Sequence, residues 1–362
     1  MYVINIQNVI LKVKKKIMQE LEIIKPDDWH VHFREGSILK AVVPETSRHF
    51  ARAIVMPNLS PPILEGADAS IYQKEIMDAI PENDEFSPLM TLYLTENTNC
   101  KNLEDSFKNR SIFAAKLYPA GATTNSGSGV KNIKNIMPIL EKMSEIGMPL
   151  LIHGEVTNKE IDIFDREKVF IENNLEFLCK ELPDLKITLE HITTKDAVSY
   201  IKQGNKNLAA SITPHHLALN RNSIFVNGIR PHNYCLPILK RETHREALVD
   251  AAISGNAKFF LGTDTAPHLK KDKESECGCA GVFNATYCMS ILAQIFDDKN
   301  SITNLEKFTS LNGSKHYAVN TNNTKIKLIK NQNPIKFKNK IDVKNDTIVI
   351  FKPDFPVYWE VA

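Results

Sequence analysis

The sequence predicts an α/β chain folded as a (β/α)8 barrel. Three observations carry that expectation: eight short β-rich apolar runs, helical periodicity between them, and no Gly-rich phosphate loop after the first run. The runs are Leu21–Phe33, Ala53–Leu59, Leu89–Leu94, Phe113–Tyr118, Pro149–Glu155, Lys186–Ile192, Leu208–Leu217 and Lys258–Pro267. Between them, Ala67–Ile80, Val130–Ile146, Arg166–Leu182, Thr194–Gln203 and Arg241–Ser254 repeat apolar residues three and four apart, as one buried helix face requires. Barrel strands are covered on both faces, which accounts for runs that are apolar throughout and do not alternate. A doubly wound open sheet shares the alternation, but where it usually carries GxGxxG the first run here ends in His-Val-His-Phe-Arg.

Residues 1–20 are expected to be an N-terminal extension without function, and residues 21–362 the barrel domain with its tail. Lys12, Lys14, Lys15 and Lys16 follow the short apolar stretch instead of preceding it, the wrong order for a secretory signal, and Met18 is a candidate start. After the fourth run, Gly121–Gly129 is small, polar and flexible, as suits a connection or a mobile lid. Beyond the eighth run come helical patterns near Val282–Phe296 and Leu305–Leu311, then a Lys/Asn-rich tail whose Ile326–Ile329 and Thr347–Phe351 are expected to add strands packed on the barrel.

A net charge of +2 over 362 residues gives no electrostatic case for a nucleic-acid or membrane-surface partner. No apolar run approaches the roughly 18 residues of a membrane span. Six cysteines in a chain this long are not a disulfide framework and read as reduced thiols of a cytoplasmic protein. Cys277 and Cys279 could be half of a zinc site, but no second pair with finger-like spacing accompanies them.

Barrel enzymes carry their chemistry at the carboxyl ends of the strands. There the sequence places His30 and His32, Lys116, His153, His191 and Asp264, on the first, fourth, fifth, sixth and eighth runs. Residues i and i+2 of a strand share a face, so His30 and His32 point together into the mouth. A lone strand histidine is more often a hydrogen-bonded core residue. Four histidines and an aspartate at one end resist that account, because buried polar groups without partners cost a few kcal/mol each. Imidazoles and a carboxylate are ligands that zinc prefers, with manganese, cobalt or iron as substitutes. Five ligands exceed one tetrahedral site, so two metals are expected, and their mutual repulsion calls for a bridging anion. Lys116 is the candidate: a neutral lysine adds carbon dioxide to become a carbamate, whereas taken alone it would pair with a neighbouring carboxylate.

The residues then carry a clear resemblance. Pro26-Asp-Asp-Trp-His-Val-His-Phe-Arg34, Met56-Pro-Asn58, Lys116-Leu-Tyr-Pro119, Ile152-His-Gly-Glu155, Leu189-Glu-His191, Arg230-Pro-His-Asn-Tyr-Cys-Leu-Pro-Ile-Leu-Lys240, Gly262-Thr-Asp-Thr-Ala-Pro-His268 and Cys277-Gly-Cys-Ala-Gly281 resemble the dihydroorotases, specifically the shorter bacterial type II class of the amidohydrolase superfamily. The resemblance runs from about residue 21 to the C-terminus. It implies that His30, His32, Lys116 as carbamate and Asp264 hold one Zn2+, and that His153, His191 and the same N6-carboxylysine hold a second, with a hydroxide between them. It also implies reversible cyclisation of N-carbamoyl-L-aspartate to L-dihydroorotate, with Asp264 as general base and then general acid. Arg34, Asn58 and His268 match the positions that clamp the substrate carboxylate, and Arg34 is one of only 9 arginines among 45 basic residues. The backbones at Leu236 and Ala280 match positions that meet the ring's amide edges, and Thr123 and Thr124 match lid threonines that contact substrate. His32 and His153 also border the substrate, whereas His215 and His216 are read as non-ligands. A homodimer is implied as well. Rival readings are a dihydropyrimidinase or allantoinase, which would share the metals but not the carboxylate clamp, and an inactive barrel serving as an assembly partner, which would be expected to have lost ligands.

Overall fold

The computed structural model describes residues 20–362; the extension expected over residues 1–20 lies, but for Glu20, outside the described residues. Eight parallel strands follow in sequence order around one sheet: β2 (Asp27–Val31), β3 (Arg52–Val55), β4 (Ser87–Tyr93), β5 (Ala114–Leu117), β6 (Leu150–His153), β7 (Ile187–Glu190), β8 (Leu208–Ile212) and β9 (Phe259–Leu261). The last returns to the first, where Asp264 N–H donates to the His30 carbonyl at 2.9 Å and His32 N–H to that of Thr265 at 3.0 Å. The barrel is therefore sewn shut at the residues expected to carry the chemistry. In-facing and out-facing side chains alternate along the strands. Ala114, Leu151, Ala209 and Phe260 fill the interior with Trp29 and Ile54, and Ala115, Leu150, Ile152 and Ala210 pack outward against the helices.

The expected first run proves to be two strands. β1 (Glu20–Ile24) leaves the barrel and pairs antiparallel with β10 (Lys325–Lys330), which β13 (Trp359–Val361) flanks on its other side. Pro26 separates β1 from β2; it has no N–H for a ladder, and its carbonyl instead accepts from Ala51 N–H at 2.8 Å. The tail strands thus form where they were expected, the second as the hairpin β11 (Lys340–Val343) and β12 (Asp346–Val349). The runs beginning at Leu208 and Lys258 are also shorter as strands than as apolar stretches, because Pro214 starts the short helix Pro214–Ala218, capped by Thr213, and the chain past Leu261 turns into the mouth.

All five helical stretches expected between the runs contain helix, and among the described residues two further helices, of 12 and 9 residues, connect barrel strands. Gly36–Ser47 contains Pro44, and Cys100–Lys108 is capped by Asn99, whose side chain accepts from Asn102 N–H; the latter buries only Leu103 and Ser106. The closing helix Asn312–Tyr317 plugs the amino-terminal end of the barrel. There Tyr317 stacks on Trp29, with ring centroids 4.7 Å apart, and its hydroxyl meets that of Thr188 at 2.8 Å. With the bottom sealed, the interior opens only toward the carboxyl ends.

Candidate active site

Strand alternation explains part of the site directly. Lys116 follows inward Ala114 by two residues and His153 follows inward Leu151 by two, so both face the barrel axis. Elsewhere the backbone departs from the rule. The β2–β3 register slips between Asp28 and Val31, so Trp29 lies in the inner cluster and Val31 in the outer one, with His30 turned to the axis between them. At β7 alternation directs Thr188 and Glu190 inward and would send His191 outward; a left-handed φ of 42° at His191 swings its ring back into the mouth. Asp264 is likewise left-handed, at 44°. Gly262 is needed beside them, since a Cβ there would come within 2.9 Å of Ser211 Cβ and 3.1 Å of His30 Cβ.

The ligating atoms converge. His30 Nε2 and His32 Nε2 are 3.2 Å apart, and Asp264 Oδ1 lies 3.3 and 3.2 Å from them. These three residues can offer one atom each within 4.8 Å of one another, and so can His30, Glu190 and His191. The His191 ring is 5.0 Å from that of His30 and 4.8 Å from that of His153, centroid to centroid. All are buried, at 8% exposure or less. His191 Nδ1 has no hydrogen-bond partner, an expensive state in a dry pocket. Two nitrogens sharing one carboxylate oxygen, beside an orphaned imidazole nitrogen, is a donor set that fits divalent cations better than it fits itself.

Burial and the two carboxylates act in opposite directions on these side chains. Burial opposes charge on His30, but Glu190 and Asp264 outweigh it and raise the imidazole to about 9. His32 is lowered to about 3, chiefly by burial, and burial likewise drives His191 well down. Burial pushes Asp264 up, yet His30 and His32 hold it well below the usual carboxylate range. Burial lowers Lys116, favouring the neutral amine. As the free amine it meets the Glu190 carboxylate, the pairing a lysine on its own would adopt. His153 Nε2 is 2.8 Å from Glu155 Oε2, and His153 joins neither of the two convergent groups.

Two residues of this site were not singled out from sequence. Glu190 stands between Lys116 and His30, its Oε1 3.0 Å from His30 Nδ1; its position one residue before an expected ligand is the only signal, and strict alternation argued against both facing inward. Asp28 accepts from Thr263 N–H (2.8 Å), Thr263 Oγ1 (2.6 Å) and His30 N–H (3.1 Å), bracing the seam beside Asp264. Burial raises it to about 7 against those bonds.

On the rim, Arg34 (φ 60°) donates from Nε to the Pro267 carbonyl at 3.2 Å, and its Nη2 lies 3.2 Å from His268 Nε2. Its Nη1 is buried without a partner. His268 Nε2 is also 3.0 Å from the Ala280 carbonyl, and burial holds that ring neutral. Asn58 is 2% exposed, with an unpartnered Oδ1. The loop Gly121–Gly129 is folded down on this rim. Asn58 Nδ2 donates to the Thr124 carbonyl at 3.0 Å, Asn125 Nδ2 to the Asn58 carbonyl at 3.0 Å, and Thr124 Oγ1 reaches the Ala280 carbonyl at 3.5 Å. Thr123 turns inward on its own loop, its N–H donating to Ser126 Oγ at 2.8 Å. Leu236 is half-buried next to Cys235.

His216, expected as a non-ligand, has Nδ1 against Thr213 Oγ1 at 2.7 Å and Nε2 against the Pro237 carbonyl at 2.9 Å. Both nitrogens are engaged, although His215, His216 and Cys235 lie close enough together to form a three-residue group. Cys277 and Cys279 join no three-ligand group among the described residues.

Residues 23–357 match the amidohydrolase family. A dihydroorotase of Agrobacterium fabrum is 54% identical over 344 residues, spanning 95% of this chain and all of the relative; that of Rhizobium meliloti is 54% identical over 345 residues, 95% and 99% of the two chains. Among solved structures, a dihydroorotase of Campylobacter jejuni superposes with a TM-score of 0.86 at 36% identity, covering 94% of this chain and 97% of that one. A Saccharomyces cerevisiae dihydroorotase in complex with 5-fluoroorotic acid gives 0.87 at 33% identity, covering 95% and 99%. An L-hydantoinase of Arthrobacter aurescens shares the fold, with a TM-score of 0.76 at 13% identity over 94% and 87% of the chains.

Proposed function

The chain belongs to the amidohydrolase family, and from that premise, joined to the geometry of the barrel mouth, we infer that it is a dihydroorotase. It interconverts N-carbamoyl-L-aspartate and L-dihydroorotate with exchange of one water, a step of pyrimidine synthesis. The observation that carries the reading beyond the family is the buried, unpartnered Nη1 of Arg34, beside His268 and with Asn58 on the same rim. A guanidinium with a buried, free donor is a receptor for a carboxylate. Dihydroorotate carries one outside its reacting ring, and dihydrouracil and allantoin carry none. The Saccharomyces relative holds 5-fluoroorotic acid, an anion of the same type.

His30, His32, Asp264 and Lys116 as carbamate would hold one Zn2+, and His153, His191 and the same carbamate would hold a second. Bound there, the ions supply Lewis acidity to an amide carbonyl and acidify a water. The chain's own residues do the rest. Burial lowers Lys116, toward the neutral form that adds carbon dioxide. Asp264 takes the proton of the attacking water and passes it to the ring nitrogen as the C–N bond breaks; in the biosynthetic direction the roles reverse. Arg34, His268 and Asn58 fix the carboxylate, and the Leu236 and Ala280 backbones meet the ring amides. The loop carrying Thr123 and Thr124 excludes water. Residues 21–362 act as one catalytic unit with the extension outside it. The resemblance supports a homodimer in the cytoplasm, and six free cysteines support a reducing compartment. Among the described residues, no helix is long and apolar enough to cross a membrane.

The test is ring opening of L-dihydroorotate, dihydrouracil and allantoin by zinc-loaded protein, with Lys116→Ala as control. Turnover of dihydroorotate alone, lost in the variant, is expected. In parallel, intact-mass measurement of the parent should show the added mass of one carbon dioxide, absent from the variant. Turnover of dihydrouracil or allantoin but not dihydroorotate would sink the carboxylate receptor, and silence on all three would favour an inactive assembly partner.

A further inference from the structure

Three backbone carbonyls from two distant stretches of chain converge on one buried ammonium. Lys273 closes the short helix Lys270–Lys273 and is 2% exposed. Its Nζ donates to the carbonyls of Tyr234 at 2.9 Å, Cys279 at 2.6 Å and Gly281 at 2.9 Å, and lies 5.7 Å from the centre of the Tyr234 ring. An ammonium has three N–H groups and no acceptor, so its capacity is filled, and each bond is charge-assisted. A methylene chain alone would fill the same space. Burial lowers the group to about 8, so keeping a cation here works against folding.

What the ammonium joins explains its presence. Tyr234 begins the segment Tyr234-Cys235-Leu236, while Cys279 and Gly281 flank Ala280 on either side. The same two stretches are tied once more by Gly281 N–H donating to the Tyr234 carbonyl at 3.0 Å. We propose that Lys273 is a positioning residue for substrate: its ammonium sets the spacing between the Leu236 and Ala280 backbones, the two strips that read the amide edges of the ring. The proposal rests on the dihydroorotase reading above. Lys273 touches no reacting atom and acts through the carbonyls that it gathers. The Ala280 carbonyl, between two of the tethered ones, is also where His268 and the lid residue Thr124 converge, so the same ammonium sets the wall against which the clamp and lid close.

Lys273→Met keeps the volume and removes all three donors. With zinc content equal to that of the parent, KM for L-dihydroorotate is expected to rise about tenfold while kcat falls less than about threefold, the signature of lost binding that is shared by ground and transition states. A merely structural lysine would lower folded yield or melting temperature and leave KM of the folded fraction alone. A parental KM in folded Lys273→Met, or a fall in kcat at constant KM, overturns the proposal. Lys273→Leu, which also lacks a donor, serves if the methionine variant does not fold: a raised KM supports the proposal and a parental KM overturns it. Failure of the parent itself to open dihydroorotate would overturn the functional reading, and is seen before any variant is made.

Discussion

Arg34, His191 and Asp264 hold left-handed backbone angles of 60°, 42° and 44°. For residues with a Cβ this costs on the order of 1–3 kcal/mol each, and such strain gathers at functional sites. Each angle turns a side chain where the regular strand would not put it, and all three belong to the expected metal or carboxylate sites. Asp264→Asn keeps the shape but loses the proposed proton carrier, so kcat for dihydroorotate should fall by about 10²–10⁴ in steady-state assays. Arg34→Lys keeps the charge and loses the fork; KM for dihydroorotate should rise more than about tenfold, and an unchanged KM would remove Arg34 from the clamp. At this scale the sequence was informative about residue type and strand end. Histidines, a lysine and an aspartate at the ends of five of the eight strands were legible because alternation and barrel topology are general. Glu190 and Asp28 were not, because their roles depend on a φ reversal at His191 and a register slip in β2, neither of which leaves a mark in residue type.

At the scale of elements, the closing helix meets β2 at one tight point. A Cβ on Gly313 would run into the Trp29 indole, so Gly313→Ala must push the plug away from the barrel floor. A loss of about 1–3 kcal/mol in urea unfolding is expected, with a parental midpoint counting against the plug as a structural element. Elements were legible where burial enforces a period. The stretch Arg241–Ser254 reads clearly, and Glu242–Ile253 is helical. Cys100–Lys108 presents few buried residues to read, and Gly36–Ser47 hides behind Pro44. Leu21–Phe33 looked like one strand because apolar content runs across Pro26, while hydrogen bonding stops there.

For the whole molecule, eight alternations were enough to identify the barrel, because a closed parallel sheet has few other ways to be covered. Its stability should depend on acid through histidines outside the proposed metal site. Burial lowers His216 to about 4, His49 to about 4 and His316 to about 3, against roughly 6.5 in an unfolded chain. Between about pH 6.5 and 4 the unfolded state binds more protons, so stability rises with pH through that window and is lost as pH falls. His216 alone is worth on the order of 3 kcal/mol across it. Urea midpoints should drop between pH 7 and pH 5, less steeply in His216→Gln; equal slopes in the two proteins would rule His216 out.

The small sheet has a consequence in time. β1 is made early, and its partner β10 only some 303 residues later, as the span from Glu22 to Lys325 shows. Until then β1 is an open edge, the kind that recruits other chains. Glu20 and Glu22 sit on that edge and in the finished protein pair with Lys327 and Lys325. The two ion pairs therefore clasp the first described strand to a segment that is synthesised some 303 residues later.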